Sequence, residues 1–310
     1  MDVQYDVIIV GAGPAGMTAA VYATRAGMKA MMLEPEAPGG KLVKTFEICN
    51  WPGVKEISGV DLAMQMFDHS TSYGCEYQYG KVMKVEDEGN VKKVVCEDGT
   101  VYSSYAVILA TGSVEKKLGL ANEERLTGRG ISYCAVCDGA FYKDKVVTVI
   151  GGGNSALEEA LYLTQFASKV RIVIRRDVFR AEPHVQEMVA KNPKIEVVKH
   201  HIPIEYVEED GKVTGIVLKN VTSNEMSTYD TAGVFPYIGS IPATQAVAHF
   251  PIIDQDGYLV VNEKMETAIP GLYGAGDVCA KVLRQIVTAV SDGSIAAQQI
   301  FHYIQDCKCK

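Results

Sequence analysis

No run of this 310-residue chain approaches the roughly 20 consecutive apolar residues of a membrane span. A secretory n-region, h-region and cleavage site are missing as well, and the chain passes at once into an apolar stretch at Tyr5–Val10. Basic charge is not in excess: 30 Lys and Arg stand against 38 Asp and Glu, a net −8 with a pI near 5.4. That argues against a nucleic-acid or anionic-membrane partner. The eight cysteines are irregularly spaced, which excludes the dense framework of a small secreted domain. The terminal Cys307-Lys-Cys309-Lys310 does not set a cysteine fourth from the end, as a prenylation box requires. Low-complexity sequence is also missing. The expectation is a cytoplasmic globular protein of two domains.

Two glycine-rich turns lie 140 residues apart, Gly11-Ala-Gly13-Pro14-Ala15-Gly16 and Gly151-Gly-Gly153-Asn154-Ser155-Ala156. Each follows a short apolar strand, Tyr5–Val10 or Val146–Ile150, and opens a helical stretch near Pro14–Ala26 or Asn154–Phe166. That is the context of a dinucleotide fingerprint, in which glycines allow a tight turn and the helix N-terminus holds a pyrophosphate. Counting onward separates the two. Twenty-three residues after Gly11 comes Glu34, an acid suited to the hydroxyls of an unphosphorylated ribose. Twenty-three residues after Gly151 comes Ile174, followed by Arg175, Arg176 and Arg180, which suit a 2′-phosphate. The first site reads as FAD or NAD and the second as NADPH.

Between and around these turns the pattern predicts a helix near Gly59–Tyr73 and strands near Tyr77–Val85, Val91–Glu97 and Val101–Ser103. A further strand, Tyr105–Leu109, ends in Ala110-Thr111-Gly112. The second unit closes with strands near Ile195–Lys199, Val213–Leu218 and Thr231–Tyr237, and a long amphipathic helix covers about Gln285–Gln305. Asp277 ends a small-residue turn, Tyr273-Gly-Ala-Gly-Asp277, where a carboxylate can bond flavin ribitol hydroxyls; an ordinary helix cap is the other reading. If Asp277 serves the first nucleotide, that domain is discontinuous, with the second inserted into it.

Cys134-Ala-Val-Cys137 stands just before the second turn. A C-x-x-C brings two sulfurs within disulfide reach and can yield a reactive thiolate, and Asp138 beside it is placed to relay a proton. Half of a zinc knuckle is the competing reading, but Cys307/Cys309 is the other close pair and has the wrong spacing. No metal is expected. Cys49, Cys75, Cys96 and Cys279 read as core or edge residues.

The ordered set of both turns, Asn50-Trp-Pro-Gly53, Ala110-Thr111-Gly112, Cys134-Ala-Val-Cys137-Asp138-Gly139, Arg175-Arg176-Asp-Val-Phe-Arg180 and Gly276-Asp277 resembles the low-molecular-weight, bacterial-type thioredoxin reductases over essentially the whole chain. The resemblance implies an α/β fold of two Rossmann-like domains (three-layer ββα). The FAD domain covers 1–113 and 244–310, and an NADPH domain carrying the C-x-x-C is inserted at 114–243. It implies that FAD contacts Gly11, Gly13, Pro14, Ala15, Glu34, Gly40, Lys41, Asn50, Val82, Thr111, Gly112, Asp277, Arg284 and Gln285. NADPH falls to Gly153, Asn154, Ser155, Arg175, Arg176 and Arg180. It further implies a homodimer in which Cys137 lies against the flavin, Cys134 attacks the thioredoxin disulfide and Asp138 serves as acid and base. Thioredoxin would dock near Arg129 and Phe141. Rotation of one domain against the other, hinged near Ser113–Lys116 and Ser240–Thr244, is implied too.

Several positions depart from the family pattern: Lys41 for a usual Gln, Ile174 for His, Ser240 for His, Leu283 for Tyr and Ala140 for Phe. They bear on flavin tuning and partner choice. The alternative function is an NADPH-dependent flavin reductase of the same fold serving another thioredoxin-like protein or electron carrier. Ferredoxin–NADP reductases of this fold lack the cysteine pair, and ferredoxin-dependent relatives tend to lose the second glycine turn and its arginines.

Overall fold

The computed structural model describes residues 3–45 and 47–308. The chain divides into two compact units, Met1–Val114 with Ile241–Lys310, and Glu115–Ser240.

The first unit begins with β1 (Tyr5–Val10), α1 (Pro14–Arg25) and β2 (Ala30–Glu34), the strands pairing in parallel from Val7↔Ala30 to Val10↔Leu33. Proline at the first turn of α1 suits a helix start, where its missing N–H leaves no bond unmade. Helix α2 (Gly59–Thr71) is capped by Ser58, whose hydroxyl accepts from Asp61 N at 3.0 Å. Then come β3 (Glu76–Tyr79), β4 (Val82–Glu88), β5 (Val91–Cys96) and β6 (Val101–Leu109), giving the sheet order β3-β2-β1-β6-β5-β4.

The single strand read at Tyr77–Val85 is therefore two. The break falls at Gly80-Lys81, where Gly80 N donates to Glu34 O (3.0 Å) and Lys81 O accepts from Glu97 N (2.9 Å). One side of that turn continues the parallel core, and the other starts an antiparallel hairpin. Alternating apolar residues run across both, which is why the pattern hides the break.

The second unit holds α3 (Ala135–Asp138), β7 (Val146–Ile150), α4 (Asn154–Leu163), β8 (Lys169–Ile174), α5 (Pro183–Lys191), β9 (Ile195–Lys199), β10 (His201–Glu209), β11 (Lys212–Asn220), β12 (Met226–Asp230) and β13 (Gly233–Pro236). A parallel sheet runs β9-β8-β7-β13, and β10-β11-β12 form an antiparallel meander. Helix α5 and the outer strands β10 and β12 have no counterpart in the sequence reading. The strands bury little beyond Tyr206, so the apolar alternation that marks a strand is weak there. The strand read at Thr231–Tyr237 is the shorter β13, Gly233–Pro236.

Returning to the first unit, β14 (Leu272–Gly274) pairs with the C-terminal half of β6, beside the half that β5 occupies. Helix α6 (Ile286–Lys308) packs against α1 so closely that a Cβ at Gly293 would lie 2.1 Å from Ala15 O. Only glycine permits that approach. The core beneath includes Val7, Ile9, Met17, Met32, Ile108 and Ile300, and each such side chain fully buried contributes about 1.5–3 kcal/mol. No helix of the described residues is long and apolar enough to cross a membrane.

Candidate functional site

Within the first unit the glycine turn has two kinds of glycine. A Cβ on Gly11 (φ +108°) would lie 2.3 Å from Ala110 O, and one on Gly16 would lie 1.9 Å from Gly11 O. These two are required by packing. A Cβ on Gly13 meets nothing within 4 Å, and Gly13 caps α1 with no side-chain hydrogen bond. Nothing therefore blocks approach to the start of α1 at Gly13, the arrangement a pyrophosphate needs. Gly39 N donates to Ala12 O at 2.8 Å, bringing the next loop onto the turn; a Cβ on Gly40 would come 3.4 Å from Gly13 Cα.

Glu34 ends β2 with its carboxylate accepting from Ala12 N (2.8 Å) and Glu36 N (3.0 Å). An ionised carboxylate accepts about four hydrogen bonds, so acceptor capacity remains for ribose hydroxyls. Burial pushes the Glu34 carboxyl up, and the Ala12 and Glu36 amides oppose that. Elsewhere in the unit two of the other expected positions, Asn50 and Gln285, meet each other. Asn50 Nδ2 donates to Gln285 Oε1 at 3.1 Å across 235 residues, and Thr111 Oγ1 donates to Ala243 O at 2.6 Å. Gly112 takes φ +65° with open space at its Cβ, and Val82 is half-buried at the start of β4. Arg284 lies 4.0 Å over the ring of Tyr258 and donates from Nη2 to Cys279 O (3.2 Å). Nothing local to Tyr258 in the sequence signals a stack with a residue 26 positions on.

Asp277 sits just after β14, and Lys41 Nζ lies 3.6 Å from its Oδ2. The same ammonium donates to Ser113 Oγ at 2.6 Å. The lysine that departs from the family pattern is thus held beside the carboxylate expected to bind the flavin. That carboxylate offsets part of its field. An ammonium favouring an anionic reduced flavin by about 1 kcal/mol corresponds to about 20 mV for a two-electron couple. Lys41→Gln is therefore expected to lower the flavin midpoint potential by no more than about 20 mV. Redox titration of both forms checks it, and a rise in the midpoint would reverse the assigned sign.

The second unit repeats the division of labour. A Cβ on Gly151 (φ +143°) would lie 2.3 Å from Tyr237 O, and one on Gly152 would lie 3.0 Å from Ile174 Cγ2, whereas Gly153 faces open space and caps α4 without a side-chain bond. Asn154 is fixed by Glu182, accepting from its amide at 2.7 Å and donating to its Oε1 at 3.2 Å; Ser155 is exposed. Arg180 N donates to Gly152 O at 2.7 Å, so the arginine loop closes onto the glycine turn. Arg175, Arg176 and Arg180 are exposed and make no ion pair among the described residues, while Asp177 between them turns to Lys199 (3.3 Å) and His200 (3.5 Å). Three uncompensated guanidinium groups beside an open helix start fit a nucleotide with an extra phosphate.

In the same unit Cys134 and Cys137 form a disulfide with a Cα–Cα distance of 5.3 Å. Cys134 caps α3, and Cys137 N donates to its Sγ at 3.1 Å. Ser132 Oγ accepts from Cys134 N (3.1 Å), and the Tyr237 hydroxyl accepts from Ala135 N (3.1 Å). Cys137 is exposed, while Cys134 and Asp138 are half-buried. Burial, then the Asp138 charge, pushes the Tyr142 hydroxyl up to about 12. Burial followed by Glu159 raises Tyr237 as well. Phe141 is 73% exposed and Arg129 is exposed. Tyr237 escapes the sequence reading, since its link to the cysteine turn is made by folding over 102 positions, and Ser132, two residues before Cys134, carries no motif that marks it. Among the described residues no three His, Cys, Asp or Glu gather as metal ligands; Cys309 lies outside them.

The sequence matches the family described as pyridine nucleotide-disulphide oxidoreductase over residues 5–293. The chain belongs to that family. It is 47% identical over 302 residues to a thioredoxin reductase of Bacillus subtilis, covering 97% of this chain and 95% of that protein. A thioredoxin reductase of Listeria monocytogenes is 46% identical over 98% of this chain and 95% of its own length. A crystal structure of Lactococcus lactis thioredoxin reductase superposes with a TM-score of 0.95 at 42% identity, over 98% of this chain and all of that one. Within the family the chain is thus a bacterial-type thioredoxin reductase, an NADPH-dependent flavoprotein that uses FAD. The glycine turns and the arginine loop fit those two nucleotides.

Proposed function

We propose that this pyridine nucleotide-disulphide oxidoreductase reduces the disulfide of thioredoxin. When bound, FAD supplies the two-electron relay between NADPH and the Cys134–Cys137 disulfide. The residues around Gly13 and Glu34, together with Lys41, Asn50, Thr111, Asp277, Arg284 and Gln285, hold that group. Gly153, Asn154, Ser155 and the three arginines hold NADPH.

The remaining steps belong to the cysteines. Reduction by two electrons and two protons opens the disulfide to a dithiol. Cys134, as thiolate, attacks one sulfur of the thioredoxin disulfide; a mixed disulfide forms and one thioredoxin sulfur leaves as thiolate. Cys137 then attacks the Cys134 sulfur, which reforms the enzyme disulfide and releases the second thioredoxin thiolate. Asp138, the residue that follows the resolving Cys137 in the same helical turn, moves the protons from the enzyme thiols towards the leaving sulfurs. Exposed Phe141 and Arg129 offer the partner an apolar anchor and a cation in the unit that carries the cysteines. The reading takes the protein as a cytoplasmic homodimer, in line with its likeness to thioredoxin reductases along the full chain.

The observation that carries this reading is the formed C-x-x-C disulfide in the same unit as the arginine-flanked glycine turn. Anaerobic titration with NADPH and then NADH, followed by turnover with a panel of thioredoxins, tests it. Flavin reduction without turnover of any thioredoxin would favour another electron carrier as partner.

A further inference from the structure

Glu159 is used by no step above, yet it lies inside the unit that carries the disulfide. It stands on α4, its Oε2 is fully buried, and that atom has no hydrogen-bond partner among the described residues. No cation pairs with it there. Burial pushes its carboxyl up to about 8, and Glu158 adds to the effect. The titratable groups facing it are Glu158 and Tyr162 on the same helix and Tyr237 after β13. Tyr237 in turn feels Glu115 and the Asp138 of α3. Every charged member of that set is an acid.

Tyr237 connects this acid to the cysteines. Glu159 is the strongest charged neighbour of its hydroxyl, and the same hydroxyl accepts the Ala135 N–H at 3.1 Å. Ala135 is fully buried and is the first residue of α3, between the capping Cys134 and Cys137. The Cys134 sulfur has one amide donor, Cys137 N, in that short turn.

We propose that Glu159, whose buried carboxyl oxygen has no hydrogen-bond partner among the described residues, is a positioning residue for the dithiol chemistry, its proton allowing negative charge to develop on the attacking Cys134 sulfur. The attacking species in thiol–disulfide exchange is the thiolate. A neutral Glu159 leaves the Cys137 amide to stabilise that charge. An ionised Glu159 sets a like charge behind the turn, in surroundings where charges act over longer range than in water. Thiolate formation is then opposed once Glu159 loses its proton. The inference rests on the redox role given to the disulfide above.

The test is alkylation by iodoacetamide of the NADPH-reduced holoenzyme between about pH 6 and 10. In the wild type the rate should rise with pH and flatten as Glu159 ionises near pH 8. Glu159→Gln keeps the shape and cannot ionise. Its rate should match the wild type below about pH 7 and exceed it about threefold or more at pH 9. Glu159→Met, neutral and compatible with a buried site, carries the same expectation should the glutamine variant fail to fold. A wild-type profile superimposable on the neutral variant across the range would overturn the inference. Because the probe reads the enzyme's own thiols, failure to turn over thioredoxin would leave this result unchanged and would count against the partner alone.

Discussion

Cys137→Ser is expected to lose disulfide turnover by more than about a thousandfold, while NADPH still bleaches the flavin absorbance. Hydride delivery precedes thiol chemistry, so the first half-reaction needs neither sulfur. Cys134→Ser should lose turnover to the same extent, because without the attacking thiol no mixed disulfide with the partner forms, just as without Cys137 the one that forms is not released by the internal exchange. The two variants differ in what they trap. With the order assigned here, Cys137→Ser retains the attacking thiol and should accumulate a mixed disulfide with thioredoxin, whereas Cys134→Ser should not. Denaturing electrophoresis without reductant reads this directly. Trapping by Cys134→Ser and not by Cys137→Ser would invert the order. Cys137 is the more exposed of the two, and Cys134 accepts the amide bond of the turn. The trapping experiment therefore decides a point on which exposure alone would favour the opposite assignment.

The parts of this molecule that are legible in sequence are those in which function is written locally. A glycine that must let a helix start approach a phosphate stands next to the strand and helix it joins, so Gly13 and Gly153 are found by counting. The choice between Glu34 and the arginines after Ile174 is read at one fixed offset from each turn. The disulfide closes over three positions and needs no long-range contact. What stays hidden is made by distant chain segments. Tyr237 reaches Ala135 across 102 positions, and Asn50 reaches Gln285 across 235. Glu159 resembles any acid on a helix until folding buries its Oε2. Lys41 was visible as a departure, but only its place beside Asp277 and Ser113 shows that its charge is partly compensated. In the fold, the same distinction separates parallel core strands such as β2 and β7, which are nearly continuous apolar runs, from β10 and β12, whose exposed faces carry little pattern.

NADPH should be preferred over NADH by a wide margin, and the preference should reside in Arg175, Arg176 and Arg180. The argument is one of compensation. Each guanidinium is exposed and without a carboxylate partner among the described residues, and the acid that stands between them in sequence, Asp177, is turned to Lys199 and His200. A 2′-phosphate entering beside them gains charged hydrogen bonds without having to break an existing ion pair. Losing one such bond costs about 1.5–3 kcal/mol, which is about ten- to a hundredfold in affinity. Arg175→Ala or Arg176→Ala should therefore raise the KM for NADPH by about that factor and leave the KM for NADH within about twofold. Arg180→Ala should act in the same direction, although its amide bond to Gly152 O survives the substitution and keeps the loop on the glycine turn. Because the three side chains are solvated, the NADPH advantage should shrink as ionic strength rises, while NADH use stays nearly constant. Steady-state kinetics with both nucleotides at low and moderate salt measures all of this. Equal efficiencies for NADH and NADPH in the wild type, or parallel losses for both in the arginine variants, would show that these residues support the loop rather than read the phosphate.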